Sequence, residues 1–107
     1  MPDRKPALVY ENPTIDEASE AAEAAISGRK TLIVIGNCQV DYSGRASSTL
    51  ELGERILIMK EDGSVLVHRS KGYEPVNWQP PGCLFHCSKR KGELILRAIR
   101  RSPREVL

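Results

Sequence analysis

The stretch Arg55-Ile56-Leu57-Ile58-Met59-Lys60-Glu61-Asp62-Gly63-Ser64-Val65-Leu66-Val67-His68-Arg69 decides the fold. Its two arms are rich in β-branched and apolar residues, which favour extended strands. Between the arms stand four polar or small residues that include Gly63, a composition typical of a tight turn. The sequence therefore predicts an antiparallel β-hairpin at this point.

Further strands are expected on both sides of this hairpin. Thr31–Val40 is a nearly continuous apolar run, too β-branched to favour a helix. A weaker strand is predicted over residues 46–52, and others over 83–88 and 93–101, with a restart at 105–107 after Pro103. Tight turns between so many short strands predict a mainly β fold, a small antiparallel half-barrel or sandwich.

One helix precedes the strands, over residues 14–27. Thr14 and Glu17 have the spacing of a capping box, the body is rich in alanine, and Gly28 follows as a terminator. The apolar stripe of this helix, formed by Ile15, Ala18, Ala22 and Ile26, is narrow and light. We therefore expect the helix to cover a sheet edge or a barrel mouth instead of building the core.

Length and composition indicate one soluble domain over residues 1–107, of which 40% are hydrophobic. No signal peptide or membrane-spanning stretch is evident, so a cytoplasmic protein without membrane association is expected. Residues 1–27 hold six acids, whereas residues 88–104 hold seven bases. A basic half of this kind often binds phosphates, although a solvated strand edge would have the same composition.

The three cysteines, Cys38, Cys83 and Cys87, are interpreted as small apolar core residues. Their odd number argues against a disulfide framework, and their spacing does not match a zinc finger. The chain also lacks a nucleophile–base arrangement, a phosphate-binding glycine loop and a cluster of metal-binding acids. We predict no catalytic residue and no cofactor in this domain.

Two segments carry the chemistry expected of a nucleic-acid site. Asn77-Trp78-Gln79-Pro80-Pro81-Gly82 holds the single tryptophan in a proline-braced segment that cannot be a helix or a central strand. Tyr42 and Arg45 flank a Ser-Gly turn after the first strand. Aromatic rings stack on bases and arginine binds phosphate, so the segments suggest a nucleic-acid partner. The alternative is that Trp78 is a half-buried core residue.

The same segments resemble the N-terminal domain of the NucS/EndoMS family of DNA-repair endonucleases. The resemblance rests on the runs from Val34 to Arg45, from Asp62 to His68 and from Pro75 to Cys83. It implies a homodimeric DNA-binding domain for mismatched, branched or single-stranded DNA. It also implies a separate C-terminal nuclease domain that uses Mg²⁺ or Mn²⁺, and a sliding clamp bound through regions outside this chain.

The resemblance also implies roles for individual residues. Tyr42 and Trp78 would stack on a base turned out of the duplex, and Val40 would line the pocket. Asn77 would hydrogen-bond a base edge or hold the loop. Phosphates would be contacted by basic residues: Arg45, with Arg69 and Lys71 as helpers.

Two other functions remain open from the residues alone. One is a stand-alone module that binds single-stranded nucleic acid or another protein without enzymatic activity. The other is a purely structural dimerisation domain. The sequence further predicts that apolar residues of mixed-polarity strands, among them Ile56, Ile58, Leu94 and Leu96, leave apolar surface that a homodimer would bury.

Overall fold

A computed structural model describes residues 7–101 and 103–107. It consists of one helix and seven strands, in agreement with the predicted mainly β fold. The elements are α1 (Ile15–Ser27), β1 (Leu32–Ser43), β2 (Ser47–Met59), β3 (Val65–Arg69), β4 (Asn77–Gln79), β5 (Leu84–Arg90), β6 (Glu93–Arg101) and β7 (Arg104–Val106).

The seven strands form a single antiparallel sheet in the order β4-β3-β2-β1-β7-β6-β5. The two long strands β1 and β2 lie near its middle, and β4 and β5 are its open edges. The sheet is therefore not closed, which agrees with a half-barrel and not with two packed sheets. The predicted hairpin is the β2–β3 pair, in which Met59 lies opposite Val65.

The predicted helix begins and ends where the sequence indicates. The Thr14 hydroxyl accepts a hydrogen bond from the Glu17 amide at 3.1 Å, and the Glu17 carboxylate accepts one from the Thr14 amide at 3.0 Å. These two bonds form the predicted capping box. Gly28 ends the helix and donates to the Ala24 carbonyl at 2.9 Å. The helix packs mainly against β5, with the Ser19 hydroxyl 3.9 Å from the Cys87 sulfur.

The strand boundaries differ from the prediction at three places. The first strand was predicted to end at Val40, but β1 continues to Ser43, so Tyr42 lies within it. The predicted strands over 46–52 and 55–60 are one strand, β2, because the register between β1 and β2 shifts by one residue after Cys38 and pairing then resumes at Val40. Residues 77–79 of the predicted loop form the short strand β4. β4 lies at the sheet edge, where the two prolines that follow it interrupt no ladder.

The register separates the sheet into an inner and an outer face. Side chains at alternate positions share a face, and directly opposed residues share it across strands. On the inner face lies the core cluster Met59, Val65, Cys83 and Ala98, with Leu32, Leu57, Phe85, Leu96 and Leu107 packed against it. Cys83 is therefore a core residue as predicted, whereas Cys38 and Cys87 are half-buried free thiols.

The outer face of β1–β3 is apolar and open. One row across it runs from Ile33 through Ile58 to Leu66 and ends at Trp78 on the edge strand. Ile33 is 58% exposed and Ile35, two residues further, is 67% exposed. Among the described residues, no helix is both long and apolar enough to cross a membrane.

Candidate nucleic-acid interface

A pocket of about 280 Å³ opens between the end of β1 and the edge strand β4. Both predicted segments contribute to it, although 34 residues stand between the lining residues Tyr42 and Asn77 in sequence. β6 and β7 complete the wall. The lining residues are Tyr42, Asn77, Trp78, Gln79, Pro80, Arg100 and Glu105.

Tyr42 is anchored by a carboxylate on β7. Its hydroxyl donates a short hydrogen bond to Glu105 Oε2. This bond raises the pKa of the Tyr42 phenol above its ordinary value, with a smaller contribution from burial. Glu105 Oε1 lies 3.7 Å from Arg100 Nη1. Arg100 and Glu105 thus hold the phenol at the wall of the pocket.

The turn after β1 leaves room for this arrangement. Gly44 lies beside the Tyr42 hydroxyl, and a Cβ at this position would collide with that hydroxyl and approach Glu105 Cγ to 3.1 Å. A larger residue at position 44 would therefore push Tyr42 away from its partner. The glycine of the predicted Ser-Gly turn has a steric role in the site itself.

The strand β4 presents its residues alternately to the two faces. Asn77 and Gln79 lie opposite Val67 and Val65, so they belong to the inner face, and Gln79 is only 5% exposed. Trp78 lies opposite Leu66 on the outer face and is 60% exposed. Trp78 also lines the pocket, because β4 is an edge strand beside its mouth. The predicted core role for Trp78 is therefore excluded.

The other predicted residues lie around this pocket. Val40, 8% exposed, precedes Tyr42 by two positions on the same face and packs beneath it instead of lining the wall. Arg45 is exposed on the β1–β2 turn, and its charge partly offsets the rise in the Tyr42 pKa. Arg69 ends β3 and Lys71 follows in the next loop, both exposed. The pocket thus joins Tyr42, Asn77 and Trp78 and leaves the basic residues around it.

Four lining residues were not anticipated: Gln79, Pro80, Arg100 and Glu105. A sequence signal existed for two of them. Arg100 continues the alternation of Leu94, Leu96 and Ala98, so a charge was expected at the end of an apolar face. Glu105 pairs with Arg100 across the β6–β7 turn. Glu105 is an acidic residue in the short predicted strand after Pro103, and this position could have indicated its pairing with Arg100.

A second depression, of about 300 Å³, lies at the start of α1 and is lined by the β5–β6 turn. There Lys89 Nζ contacts Asp16 Oδ1 at 2.9 Å, which holds the pKa of Asp16 below its ordinary value. Within residues 7–101 and 103–107, no group of three or more histidine, cysteine or acidic side chains is arranged to hold a metal ion. The residues present therefore do not fit the magnesium or manganese of a nuclease centre.

The part of the chain that forms this pocket matches known proteins. Residues 28–107 match the family model of the endonuclease NucS N-terminal PH-like domain. The chain is 48% identical over 101 residues to endonuclease NucS of Pyrococcus furiosus, covering 94% of this chain and 36% of the relative. It is 41% identical over 99 residues to endonuclease NucS of Thermococcus kodakarensis, covering 92% of this chain and 39% of that protein.

Solved structures give the same result. A structure of an EndoMS complex with double-stranded DNA is similar with a TM-score of 0.86 at 41% identity, covering 92% of this chain and 41% of that one. A repair endonuclease from Pyrococcus abyssi is similar with a TM-score of 0.75 at 39% identity, covering 92% and 42%. The chain thus spans less than half the length of the proteins it resembles.

Proposed function

Because this chain belongs to the family of the endonuclease NucS N-terminal PH-like domain, we propose that it is the DNA-binding and dimerisation part of a DNA-repair endonuclease that acts on mismatched or branched DNA. One observation carries the proposal: the pocket joins the phenol of Tyr42, the carboxamide of Asn77 and the indole of Trp78 from two distant segments. The similarity to EndoMS, which has been solved with double-stranded DNA, supports DNA as the partner.

The pocket would hold a base that has left the duplex. Trp78, with most of its ring exposed, offers a stacking surface at the mouth, and Tyr42 offers a second ring fixed by Glu105. Asn77 can donate to the base edge from the inner face of β4 through its amide nitrogen, because its Oδ1 already accepts a hydrogen bond from the Trp78 amide at 3.1 Å. Turning out a base costs a few kcal/mol, least at a mismatch, and aromatic stacking contributes about 1–3 kcal/mol per base. Mismatched positions would therefore be selected.

The backbone of the same strand would be held by basic residues near the pocket. Arg45 lies on the turn that follows Tyr42, and Arg69 and Lys71 lie at the end of β3, next to the loop that leads to β4. All three side chains are exposed. Contacts of this kind position DNA without reading its sequence.

Dimerisation would use the outer face of β1–β3. Ile33 lies opposite Ile58 and Ile35 opposite Ile56, so four isoleucines form a contiguous patch on exposed strand surface. Burying such a patch against a second copy is favourable, at about 25 cal/mol per Å². Leu96, expected in the dimer surface from the sequence, packs instead against the core on the inner face, and Leu94 shares that face.

Cleavage would belong to a further nuclease domain of the whole protein, with Mg²⁺ or Mn²⁺ and an acidic metal site of its own. The sliding clamp is likewise proposed as a partner of regions outside this chain. The residues described here provide binding and no chemistry. The alternative function is a stand-alone module that binds single-stranded nucleic acid.

Binding and cleavage measurements on this chain test the proposal. The purified 107-residue chain is incubated with a mismatched duplex, a matched duplex of the same sequence and a single strand, with Mn²⁺ present. The proposal predicts tighter binding of the mismatched duplex and no cut product. Preference for the single strand over both duplexes would favour the stand-alone module, and metal-dependent cutting would contradict the division of roles.

A further inference from the structure

Arg55 and Arg69 lie directly opposite each other on β2 and β3, outside the pocket lining. Directly opposed residues of an antiparallel pair project from the same face. It is the inner face, because Leu57 and Met59, at alternate positions after Arg55, pack in the core. Two like charges at such a short separation destabilise the sheet unless something neutralises them.

Within residues 7–101 and 103–107, no carboxylate neutralises either arginine. The ion pairs within those two ranges are Lys89–Asp16 and Arg100–Glu105, and neither pair includes Arg55 or Arg69. The sheet therefore carries the cost of the like-charge pair without a protein anion beside it.

The guanidinium of Arg55 is held rigidly but is not fully satisfied. Its Nη2 donates to the Glu51 carbonyl at 2.8 Å and its Nη1 to the Glu54 carbonyl at 3.2 Å. These bonds fix the side chain across the register shift of β2. Its Nε is buried and has no hydrogen-bond partner in the described part of the chain. A buried donor of this kind usually marks the place of a water or an ion.

Space for a ligand exists beside this row. Gly36 on β1 lies opposite Arg55, and a Cβ built on Gly36 would meet no atom within 4 Å. Arg69 on the other side is exposed. The inner face is therefore open at Gly36 and at Arg69, while the Arg55 guanidinium lies over Gly53 on β2, where a Cβ would meet its Nη1 at 2.9 Å.

We propose that Arg55 and Arg69 together bind one phosphate group of the DNA backbone. This proposal rests on the proposed function, which already assigns Arg69 to the DNA backbone, and adds Arg55 as its partner at one phosphate. Guanidinium forks match phosphate oxygens in geometry and charge, and a shared phosphate would relieve the repulsion between the two arginines. The site is close to the pocket: Asn77 lies opposite Val67, two positions before Arg69, which is about 7 Å along a strand.

Neutral phosphate substitutions in the DNA test the site. Single methylphosphonates are placed one at a time along a mismatched duplex, and affinity is measured for the wild-type chain and for Arg69→Gln. We expect one position at which the substitution weakens wild-type binding but leaves Arg69→Gln unaffected. Arg69→Gln should also lower the slope of log affinity against log salt by about one. Arg97→Gln, an exposed arginine on the outer face of β6, serves as the matched control.

Arg55→Lys provides a second variant that keeps the charge but loses the fork, and thermal unfolding checks that it folds. DNA binding by Arg55→Lys should be insensitive to a methylphosphonate at the same phosphate position as DNA binding by Arg69→Gln.

The proposal is overturned if Arg69→Gln keeps the wild-type sensitivity at every phosphate position. That result would not contradict the proposed base pocket. Conversely, the wild-type chain could be sensitive to a methylphosphonate at this position and yet bind matched and mismatched DNA equally well. That result would contradict the proposed function but support the phosphate site of Arg55 and Arg69.

Discussion

The hydroxyl of Tyr42 on β1 donates a hydrogen bond to the carboxylate of Glu105 on β7, across 63 residues of sequence. This bond ties the end of the longest hairpin to the last strand, where β1 and β7 otherwise pair only through Ser43 and Val106. The ring of Tyr42 is therefore oriented before any DNA arrives. A preorganised ring loses less conformational entropy when a base stacks on it.

Tyr42→Phe and Tyr42→Ala should separate orientation from stacking. The phenylalanine variant keeps the ring and loses the bond to Glu105, so we expect a small decrease in affinity for a mismatched duplex. The alanine variant loses the ring, and a stacking contribution of about 1–3 kcal/mol corresponds to an affinity lower by about 5- to 150-fold. Fluorescence anisotropy measures both. Equal losses in the two variants would show that stacking on Tyr42 contributes nothing.

The same bond makes a prediction about pH. The folded-state pKa of Tyr42 is raised by Glu105, so the protonated phenol stabilises the folded chain below the unfolded pKa of about 10. This contribution is lost as the pH rises through the higher folded value. Between pH 9 and 11 the melting temperature of the wild type should fall more steeply than that of Tyr42→Phe. Parallel curves would contradict a role for the bond in stability.

Arg45→Ala should weaken DNA binding without changing its selectivity. Arg45 is exposed on the turn beside the pocket, and under the proposed function it contacts phosphate and no base. We expect lower affinity for matched and mismatched duplexes alike and a salt slope reduced by about one. Lys30→Ala, an exposed cation before β1, is the control. A selective loss for the mismatched duplex alone would assign Arg45 to the base.

The outer isoleucines should determine the oligomeric state. Light scattering of the wild type at micromolar concentration should give about twice the chain mass of 11.9 kDa. The double variant Ile33→Ser, Ile35→Ser should give the single mass, because both side chains are more than half exposed in the protomer. Leu84→Ser removes another exposed aliphatic residue, 53% exposed on β5, and should remain a dimer. A monomeric wild type would exclude this dimer surface.

Much of the fold could be predicted because local signals agreed with the final structure. The capping box of Thr14 and Glu17 and the β2–β3 hairpin both follow from short-range chemistry. The continuity of β2 could not be predicted. It depends on a register shift against β1, and register arises from pairing between strands and not from either strand alone.

The site could be predicted only in part, for a related reason. Aromatic and amide residues in unusual turn-like segments indicated Tyr42, Asn77 and Trp78. The charges of Arg100 and Glu105 were visible in the sequence, but their place beside Tyr42 was missed because it is created by the topology, which inserts β7 between β1 and β6. The row of Arg55 and Arg69 is likewise visible only in the register of β2 and β3. Long-range pairing leaves no local trace in the sequence.

The fluorescence of Trp78 tests the central claim most directly, because it is the single tryptophan of the chain. Its emission is recorded while the chain is saturated, as judged by anisotropy, with a mismatched duplex or with the matched duplex of the same sequence. If an unpaired base stacks on Trp78, the mismatched duplex quenches the emission strongly and the matched duplex does so weakly. Equal quenching by both duplexes at saturation, or none, would contradict the base pocket.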